Sequence, residues 1–150
     1  MKSFLFVFGM ALTCAFSAAA FAEDVNTEVE AVKKVVENAY VKGIHIDRDV
    51  EAVRGGFDPA FIMFRLEMGA VTRMTIDEWV AGIEKSKKER PGPLPQKTTH
   101  EFSVVDVTGD AAVARVEIYK DGKHVFTDYL SLYRLADGWK IVGKIYYRHP

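Results

Sequence analysis

The stretch TDYLSLYRLADGWKIVGKIYY, residues 127–147, decides the fold of this chain. It contains two runs in which apolar and polar residues alternate, which is the pattern of half-buried β-strands. Between the runs lies Ala136-Asp137-Gly138. Asp-Gly between alternating strands is the strongest short-range signal for a β-hairpin, because both residues tolerate positive φ. One acid, Asp128, lies in the first strand, and the sequence raises the question of what its carboxylate does.

Two earlier turn signals extend this hairpin into a meander. They are Gly109-Asp110 and Asp121-Gly122. With three turns in regular succession, the C-terminal half is predicted to form four antiparallel strands, over about residues 100–107, 111–119, 124–135 and 139–147. Alternation in the last strand places Trp139, Ile141 and Ile145 on one face of the sheet and Lys144 on the other.

The N-terminal half is mainly helical in pattern. A first helix carries Val36 and Tyr40 on its apolar stripe and is predicted to end at Gly43. A short helix capped by Asp47, a pair of strands and a third helix follow. Helices that precede a run of antiparallel strands predict an α+β domain, with the helices covering one face of the sheet.

Composition bounds the classes of function. The chain has 150 residues, of which 49% are hydrophobic and 27% charged, and its formal net charge is −1. These values suit one soluble globular domain with a sizeable core. The near-neutral balance predicts no general attraction to nucleic acid or to an anionic membrane.

The N-terminus carries a targeting pattern. Lys2 precedes a short apolar run that ends in Ala20-Phe21-Ala22, which predicts a secretory signal peptide over residues 1–22 that is cleaved after Ala22. The alternative is a membrane anchor, which requires roughly 20 apolar residues and flanking charge. We therefore expect a mature domain over residues 23–150 that is periplasmic or secreted and is not attached to a membrane.

The cysteine count limits the chemistry. Cys14, the one cysteine of the chain, lies inside the predicted signal peptide. The mature chain is therefore expected to have no disulfide, no thiol nucleophile and no cysteine-ligated metal. The four histidines show no H-x-x-x-H or H-x-H spacing, and the sequence lacks a phosphate-binding glycine loop and a nucleophile elbow. We predict no metal site and no cofactor.

Two stretches resemble a known superfamily. YVKGIHIDRDVEAVRGGFDPAFIMF, residues 40–64, resembles the helix–Gly–Asp–short helix–Phe-x-Pro start of the nuclear transport factor 2-like superfamily. FTDYLSLYRLADGWKIVGKIYY, residues 126–147, resembles the ending of its putative lumazine-binding branch, where a DYLxLxxxxGxWKIVxK run is typical. The resemblance covers essentially the whole mature chain.

The resemblance implies a fold and a pocket. It implies a cone-shaped α+β barrel, with N-terminal helices packed on a curved, mainly antiparallel sheet that ends in a four-stranded meander. It also implies a pocket between the helices and the concave face, often in a homodimer. The same SnoaL-like cone serves ketosteroid isomerases, a dehydratase, polyketide cyclases and pure binding proteins, so the fold leaves the reaction open.

Three residues are candidates for acid–base catalysis. Asp128 shares a face with Leu130 and Leu132, which favours burial and a role as base, while a solvated or strand-bonded carboxylate is the alternative. Tyr40 could donate a hydrogen bond to a ligand oxygen or simply pack in the core. His45 lies just after the predicted helix end, near the expected mouth of the cone, as a possible proton carrier or a solvated loop histidine.

A second set of residues is predicted to bind a ligand. Arg65 could bind a carboxylate or carbonyl, although an Arg65–Glu67 pair is an equal alternative. Trp79 and His100 could form the pocket wall or belong to the core. The full predicted ligand-binding set is Tyr40, Met63, Arg65, Trp79, His100 and Asp128.

Three functions remain open at this point. The first is an exported protein that binds a small apolar or aromatic molecule without a cofactor. The second is a lyase or isomerase that uses Asp128 or His45 with Tyr40. The third is a dimeric interaction module, joined through an outer sheet face that carries Tyr129, Val142 and Tyr146. An enzyme needs an inward acid in an open cavity, whereas a binder needs only the cavity.

Overall fold

The structure of the protein, a computed structural model, describes residues 26–150. The predicted signal peptide, residues 1–22, lies outside the described residues. Three helices and six strands follow one another in the described part of the chain. They are α1 (residues 26–46), α2 (Val50–Gly56), β1 (Phe57–Glu67), β2 (Ala70–Thr75), α3 (Ile76–Glu89), β3 (Thr98–Thr108), β4 (Ala111–Lys120), β5 (Lys123–Leu135) and β6 (Gly138–Arg148).

All six strands form one curved sheet in the order β2-β1-β6-β5-β4-β3. β1 runs parallel to β6, and every other neighbouring pair is antiparallel. The predicted α+β class and the four-stranded meander, β3 to β6, are therefore confirmed. The sheet is open, with β2 and β3 at its edges. It does not close into the barrel that the resemblance implies.

The helices cover the concave face of the sheet and enclose the core with it. The core is almost entirely aliphatic and aromatic, as burial of apolar surface requires. Its largest fully buried side chains include Tyr40, Phe61, Ile118, Leu130, Leu132 and Ile141. Among the described helices, none is both long enough and apolar enough to cross a membrane.

Helix α1 does not end where the sequence predicts. It is α-helical over residues 26–35 and then continues as a π-helix over Val36–Ile46, past the predicted end at Gly43. Gly43 instead makes room for the next helix, because a Cβ at this position would lie 3.1 Å from a methyl group of Val53. The glycine is therefore a packing residue, and the longer helix brings His45 into its last turn.

Helix α2 packs closely on α1. Its cap is Asp49 and not the predicted Asp47, since the Asp49 carboxylate accepts hydrogen bonds from the backbone N–H groups of Glu51 and Ala52. At its other end, a Cβ on Gly56 would overlap with the Cβ of Ala39 in α1. The two helices thus approach at a distance that only glycine permits.

A buried arginine fixes the end of α3. Arg48 lies between α1 and α2, has a positive φ of 52° and is only 4% exposed. Its guanidinium donates to the carbonyl oxygens of Ser86 at 3.0 Å and Arg90 at 2.9 Å, and to that of Gly92 in the following loop. It therefore adds a second donor to the Ser86 carbonyl, which also accepts from the Arg90 N–H, and it binds the carbonyl groups of Arg90 and Gly92 beyond the last turn.

A β-bulge interrupts the last strand. Ser131 of β5 pairs with Gly143, and Leu132 pairs with Ile141, so Val142 is an extra residue on the β6 side. An extra residue in one strand reverses the alternation of side chains beyond it.

The bulge corrects the predicted faces of β6. Trp139 and Ile141, before it, are buried as predicted. After it, Lys144 is only 6% exposed while Ile145 is 54% exposed, so the predicted positions of these two side chains are wrong. Tyr146 also packs against the core and does not lie on the outer face.

Candidate functional site

A buried acid and a buried phenol meet where α1 crosses the sheet. Tyr40 lies in the π-helical part of α1, Asp128 lies in β5, and neither is exposed to solvent. The Tyr40 hydroxyl donates a hydrogen bond to Asp128 Oδ2 at 2.5 Å. Burial raises the pKa of Tyr40 well above its usual value, and the Asp128 carboxylate raises it further. Tyr40 is therefore a neutral phenol that acts as a donor to the carboxylate.

Lys144 completes this cluster from β6. Its Nζ lies 2.7 Å from Asp128 Oδ1, with both side chains buried. Burial lowers the pKa of Lys144, whereas its ion pair with Asp128 acts in the opposite direction. The two carboxylate oxygens thus have different partners, one the Tyr40 hydroxyl and the other the Lys144 ammonium. We call Tyr40, Asp128 and Lys144 the polar triad.

Aromatic rings surround the ammonium group. The Lys144 Nζ lies 4.3 Å from the ring centroid of Tyr146, 5.2 Å from that of Tyr40 and 5.5 Å from that of Trp79. The Sδ of Met63 lies 4.0 Å from the same nitrogen. Ring faces attract a cation and are most effective where water is excluded. The site therefore holds a positive charge inside an aromatic enclosure.

His45 lies at the edge of this enclosure. Its ring meets the Tyr40 ring edge to face, with the centroids 4.9 Å apart. Burial lowers the pKa of His45 to about 3, and the charges of Lys144 and Lys120 contribute. The imidazole is therefore neutral at physiological pH. Its Nε2 is buried and has no hydrogen-bond partner in the described part of the chain.

The arrangement has polar capacity to spare. A lysine ammonium has three donors, and the Asp128 carboxylate accepts at one side of it while aromatic rings and Met63 lie on others. The unpartnered Nε2 of His45 is a second free polar group. Buried polar groups without partners are rare in proteins and call for an explanation. Both groups could bind a polar atom of a ligand whose remainder packs on the rings.

The other predicted site residues divide into two groups. Met63 and Trp79 lie against Lys144. Arg65 forms the alternative ion pair with Glu67, at 3.2 Å, and the His100 ring packs edge to face on that of Phe102. In the described residues, Arg65 and His100 make no hydrogen bond or ion pair with the polar triad. Their roles in binding stay predictions.

Sequence reasoning missed Lys144 and Tyr146. Strict alternation along β6 assigns both to the outer face, and the bulge at Val142 moves them to the inner face. The spacing of Trp139 and Lys144 gave no signal of this, because strict alternation also puts an apolar and a charged residue an odd number of positions apart on opposite faces. The bulge shows only in the pairing of β5 with β6.

Open space lies next to the site, at the end of the sheet. A cleft of about 610 Å³ is lined by residues from the loop before β3, the β4–β5 turn and the end of β6. We call it the rim cleft, and its principal side chains are Gln96, Lys120, Lys123, His124, Phe126 and Arg148. Among residues 26–150, no group of three or more His, Cys, Asp or Glu side chains is arranged to hold a metal ion.

Comparison with protein families decides the classification. The family described as "Putative lumazine-binding" matches residues 27–147, which is most of the chain and includes all three residues of the polar triad. The chain belongs to this family. The description of this family is that of a ligand-binding domain. No protein of curated function matches the chain.

Solved structures agree on the fold. A nuclear transport factor 2-like protein of unknown function from Shewanella baltica is 23% identical, with a TM-score of 0.67 over 83% of this chain and 96% of its own. A similar protein from Silicibacter pomeroyi is also 23% identical, with a TM-score of 0.68 over 83% and 98%. One from Methylobacillus flagellatus is 18% identical, with a TM-score of 0.63 over 95% and 100%. At these identities the likeness shows the nuclear transport factor 2-like fold alone.

Proposed function

We propose that the protein is an exported small-molecule-binding protein, without a cofactor, that takes an apolar or aromatic ligand between its helices and the concave face of the sheet. The ligand packs on Trp79 and Tyr146 at the edge of the polar triad. Its polar atom binds to Lys144 or His45. The carrying observation is the unpartnered Nε2 of His45 near the Lys144 ammonium, with aromatic rings on several sides of that ammonium.

Energetics supports a functional reason for this arrangement. A buried ion pair is often no more stabilising than apolar side chains of the same volume, because both charges must be desolvated. The pair of Lys144 and Asp128 is almost fully buried, so stability alone gives little reason for it. A site that orients a ligand needs a few placed polar groups among apolar walls, and the polar triad supplies them.

Acid–base catalysis is the second candidate. It is favoured by one observation, the inward position of Asp128 with the Tyr40 hydroxyl 2.5 Å away. A lyase or isomerase of this kind would use Asp128 as the base and Tyr40 as the donor. Asp128 would have to lose its ion pair with Lys144 before it could accept a proton from the substrate. His45, with a pKa of about 3, is a weak base at neutral pH. Binding therefore ranks first.

We also propose a homodimer through the outer sheet face. This proposal is supported by a set of exposed apolar side chains on neighbouring strands. Tyr146, which was predicted to lie on this face, is not one of them. They are Val113, Tyr129, Tyr133, Ile145 and Tyr147, each between 46% and 57% exposed. A second copy presents the same strands, so two such faces can pair about a twofold axis. We expect Ile145→Glu to shift the mass measured by light scattering from dimer to monomer, and an unchanged mass would count against this face.

The binding proposal is tested with the protein from its own host. Native mass spectrometry, followed by release of any bound molecule, should identify an apolar or aromatic ligand, and cell fractionation should recover the mature chain outside the cytoplasm. In parallel, the neutral dye N-phenyl-1-naphthylamine should bind, with Trp79→Ala weakening it by about tenfold through lost packing. The control Phe64→Ala removes an exposed ring from the sheet and should leave binding unchanged. An empty protein that does not bind the dye would reject the proposal.

A further inference from the structure

The rim cleft is lined by three positively charged side chains, Lys120, Lys123 and Arg148. Lys120 and Lys123 flank the β4–β5 turn, and Arg148 ends β6. In the described part of the chain, none of the three forms an ion pair with a carboxylate. They converge on one concavity of about 610 Å³. Converging cations in a cleft concentrate anions there.

The nearby acids have other partners. The Glu117 carboxylate lies 2.8 Å from the Arg115 guanidinium and accepts hydrogen bonds from the hydroxyls of Thr127 and Ser103. Asp121 accepts a hydrogen bond from the backbone N–H of Lys97. Glu117 is therefore paired with Arg115, whereas Asp121 keeps its charge and offsets only part of the positive charge of the rim cleft.

An aromatic ring links the rim cleft to the inner site. Phe126 lines the cleft, and the Arg148 guanidinium lies 5.9 Å from its ring centroid. The same ring lies 5.7 Å from that of Tyr146 and 6.2 Å from that of His45, which belong to the inner site. Phe126 therefore lies between the cations of the rim cleft and the aromatic rings around Lys144. The charge of Lys120 already acts on His45, since it contributes to the lowered pKa of that imidazole.

We propose that the ligand is an aromatic acid, whose carboxylate binds to Lys120, Lys123 and Arg148 while its ring extends over Phe126 toward the inner site. This inference rests on the proposed binding function and adds the charge and orientation of the ligand. Arg148 is suited to a carboxylate because its guanidinium presents paired donors. A neutral ligand would leave the three cations unused, and a bare inorganic anion would leave the ring surface unused.

Two dyes that differ mainly in charge test this inference. 8-Anilinonaphthalene-1-sulfonate carries an anionic group, and N-phenyl-1-naphthylamine is its neutral counterpart. We expect the anionic dye to bind about tenfold more tightly at low salt and to lose this advantage as salt is added. The triple variant Lys120→Gln/Lys123→Gln/Arg148→Gln should abolish the advantage, so that the two dyes bind with similar affinity. Lys123 and Arg148 are exposed, and thermal unfolding checks that the variant folds.

A matched triple variant controls for overall charge. Arg73→Gln/Lys85→Gln/Lys88→Gln removes three positive charges from exposed positions outside the rim cleft and should change neither dye. Equal losses in both triple variants would overturn the inference, since net charge would then explain the effect. Failure of the neutral dye to bind the wild-type protein rejects the binding proposal itself, whatever the anionic dye does.

Competition distinguishes an aromatic acid from a free anion. Benzoate should displace the anionic dye at concentrations about tenfold lower than inorganic phosphate, because its ring adds contacts that phosphate lacks. Displacement by phosphate at equal or lower concentration would show a site for inorganic anions and would overturn the assignment of an aromatic acid.

Discussion

Lys144 and Asp128 meet diagonally across β5 and β6. In the strand register Lys144 lies opposite Leu130, whereas Asp128 lies opposite Tyr146, yet the two charged groups are 2.7 Å apart. Diagonal neighbours across antiparallel strands have Cα atoms roughly 7–8 Å apart, a gap that only long side chains bridge. The ion pair of the polar triad therefore requires a side chain as long as that of lysine.

The effects of Lys144 and Asp128 on the free energy of unfolding should be strongly coupled. Lys144→Met leaves the Asp128 carboxylate buried without its counter-charge, so we expect the free energy of unfolding at pH 7 to fall by about 3–5 kcal/mol. The double variant Lys144→Met/Asp128→Asn removes both charges and should recover most of this loss. Urea denaturation measures both. Losses that simply add in the double variant would mean that the pair is not coupled. Lys85→Met, at a solvent-exposed pair with Glu89, serves as control and should cost less than about 1 kcal/mol.

His45 should make the fold sensitive to acid. Its pKa is lowered from 6.5 to about 3 in the folded protein, so below pH 6.5 the unfolded chain binds a proton that the folded protein does not. Stability should fall as the pH drops through this window, with a slope from this residue of up to about 1.4 kcal/mol per pH unit. Denaturation midpoints between pH 4 and pH 7 measure it.

Two variants isolate the contribution of His45 to this slope. His45→Gln removes the titrating group, so the difference in stability between wild-type and variant should shrink steadily as the pH falls. Phe64→Ala, at an exposed position without a titratable group, should follow the wild-type slope. Parallel pH profiles for wild-type and His45→Gln would contradict a neutral, buried His45.

The approach of α1 and α2 should depend on Gly56. Gly56→Ala forces a methyl group against the Cβ of Ala39, so we expect a loss of about 1–3 kcal/mol by overpacking. Ala39→Gly in the same chain removes the opposing methyl group and should restore part of the stability. Gly55→Ala is the matched control, because nothing lies within 4 Å of its added Cβ. Equal effects at the two glycines, measured by thermal unfolding, would exclude a steric cause.

Arg48 should stabilise the end of α3. Arg48→Ala leaves the carbonyl oxygens of Ser86 and Arg90 without this donor, and we expect a loss of about 2–4 kcal/mol in the free energy of unfolding. Hydrogen exchange should become faster in the last turn of α3. Arg90→Ala, at an exposed side chain in the same region, is the control. No change in exchange at α3 in Arg48→Ala would contradict a capping role.

Local chemistry explains what the sequence could predict. The hairpin at Asp137-Gly138 depends on two adjacent residues, and Asp128 could be placed by counting because β5 alternates without interruption to Leu132. Both inferences use information within a few positions of the chain. For Asp128 the alternation favoured burial with Leu130 and Leu132, while the alternative of a solvated or strand-bonded carboxylate stayed open.

What could not be predicted depends on contacts between distant segments. Gly43 resembles a helix end, but its reason is the approach of Val53 from α2, which the local sequence does not reveal. The position of Lys144 depends on one unpaired residue, Val142, whose effect appears only once β5 and β6 are paired. Likewise, the hydrogen bonds from Arg48 to the carbonyl oxygens of Ser86 and Arg90 join segments about forty positions apart.

The bulge at Val142 gives a practical rule for aligning relatives of this protein. Because of the extra residue, the tryptophan and the second lysine of Trp-Lys-Ile-Val-x-Lys point the same way, although five positions separate them. A gap of one residue placed inside this run would exchange an interior ammonium for a surface one. Among relatives, the length of this run is therefore as informative about the site as the identity of its residues.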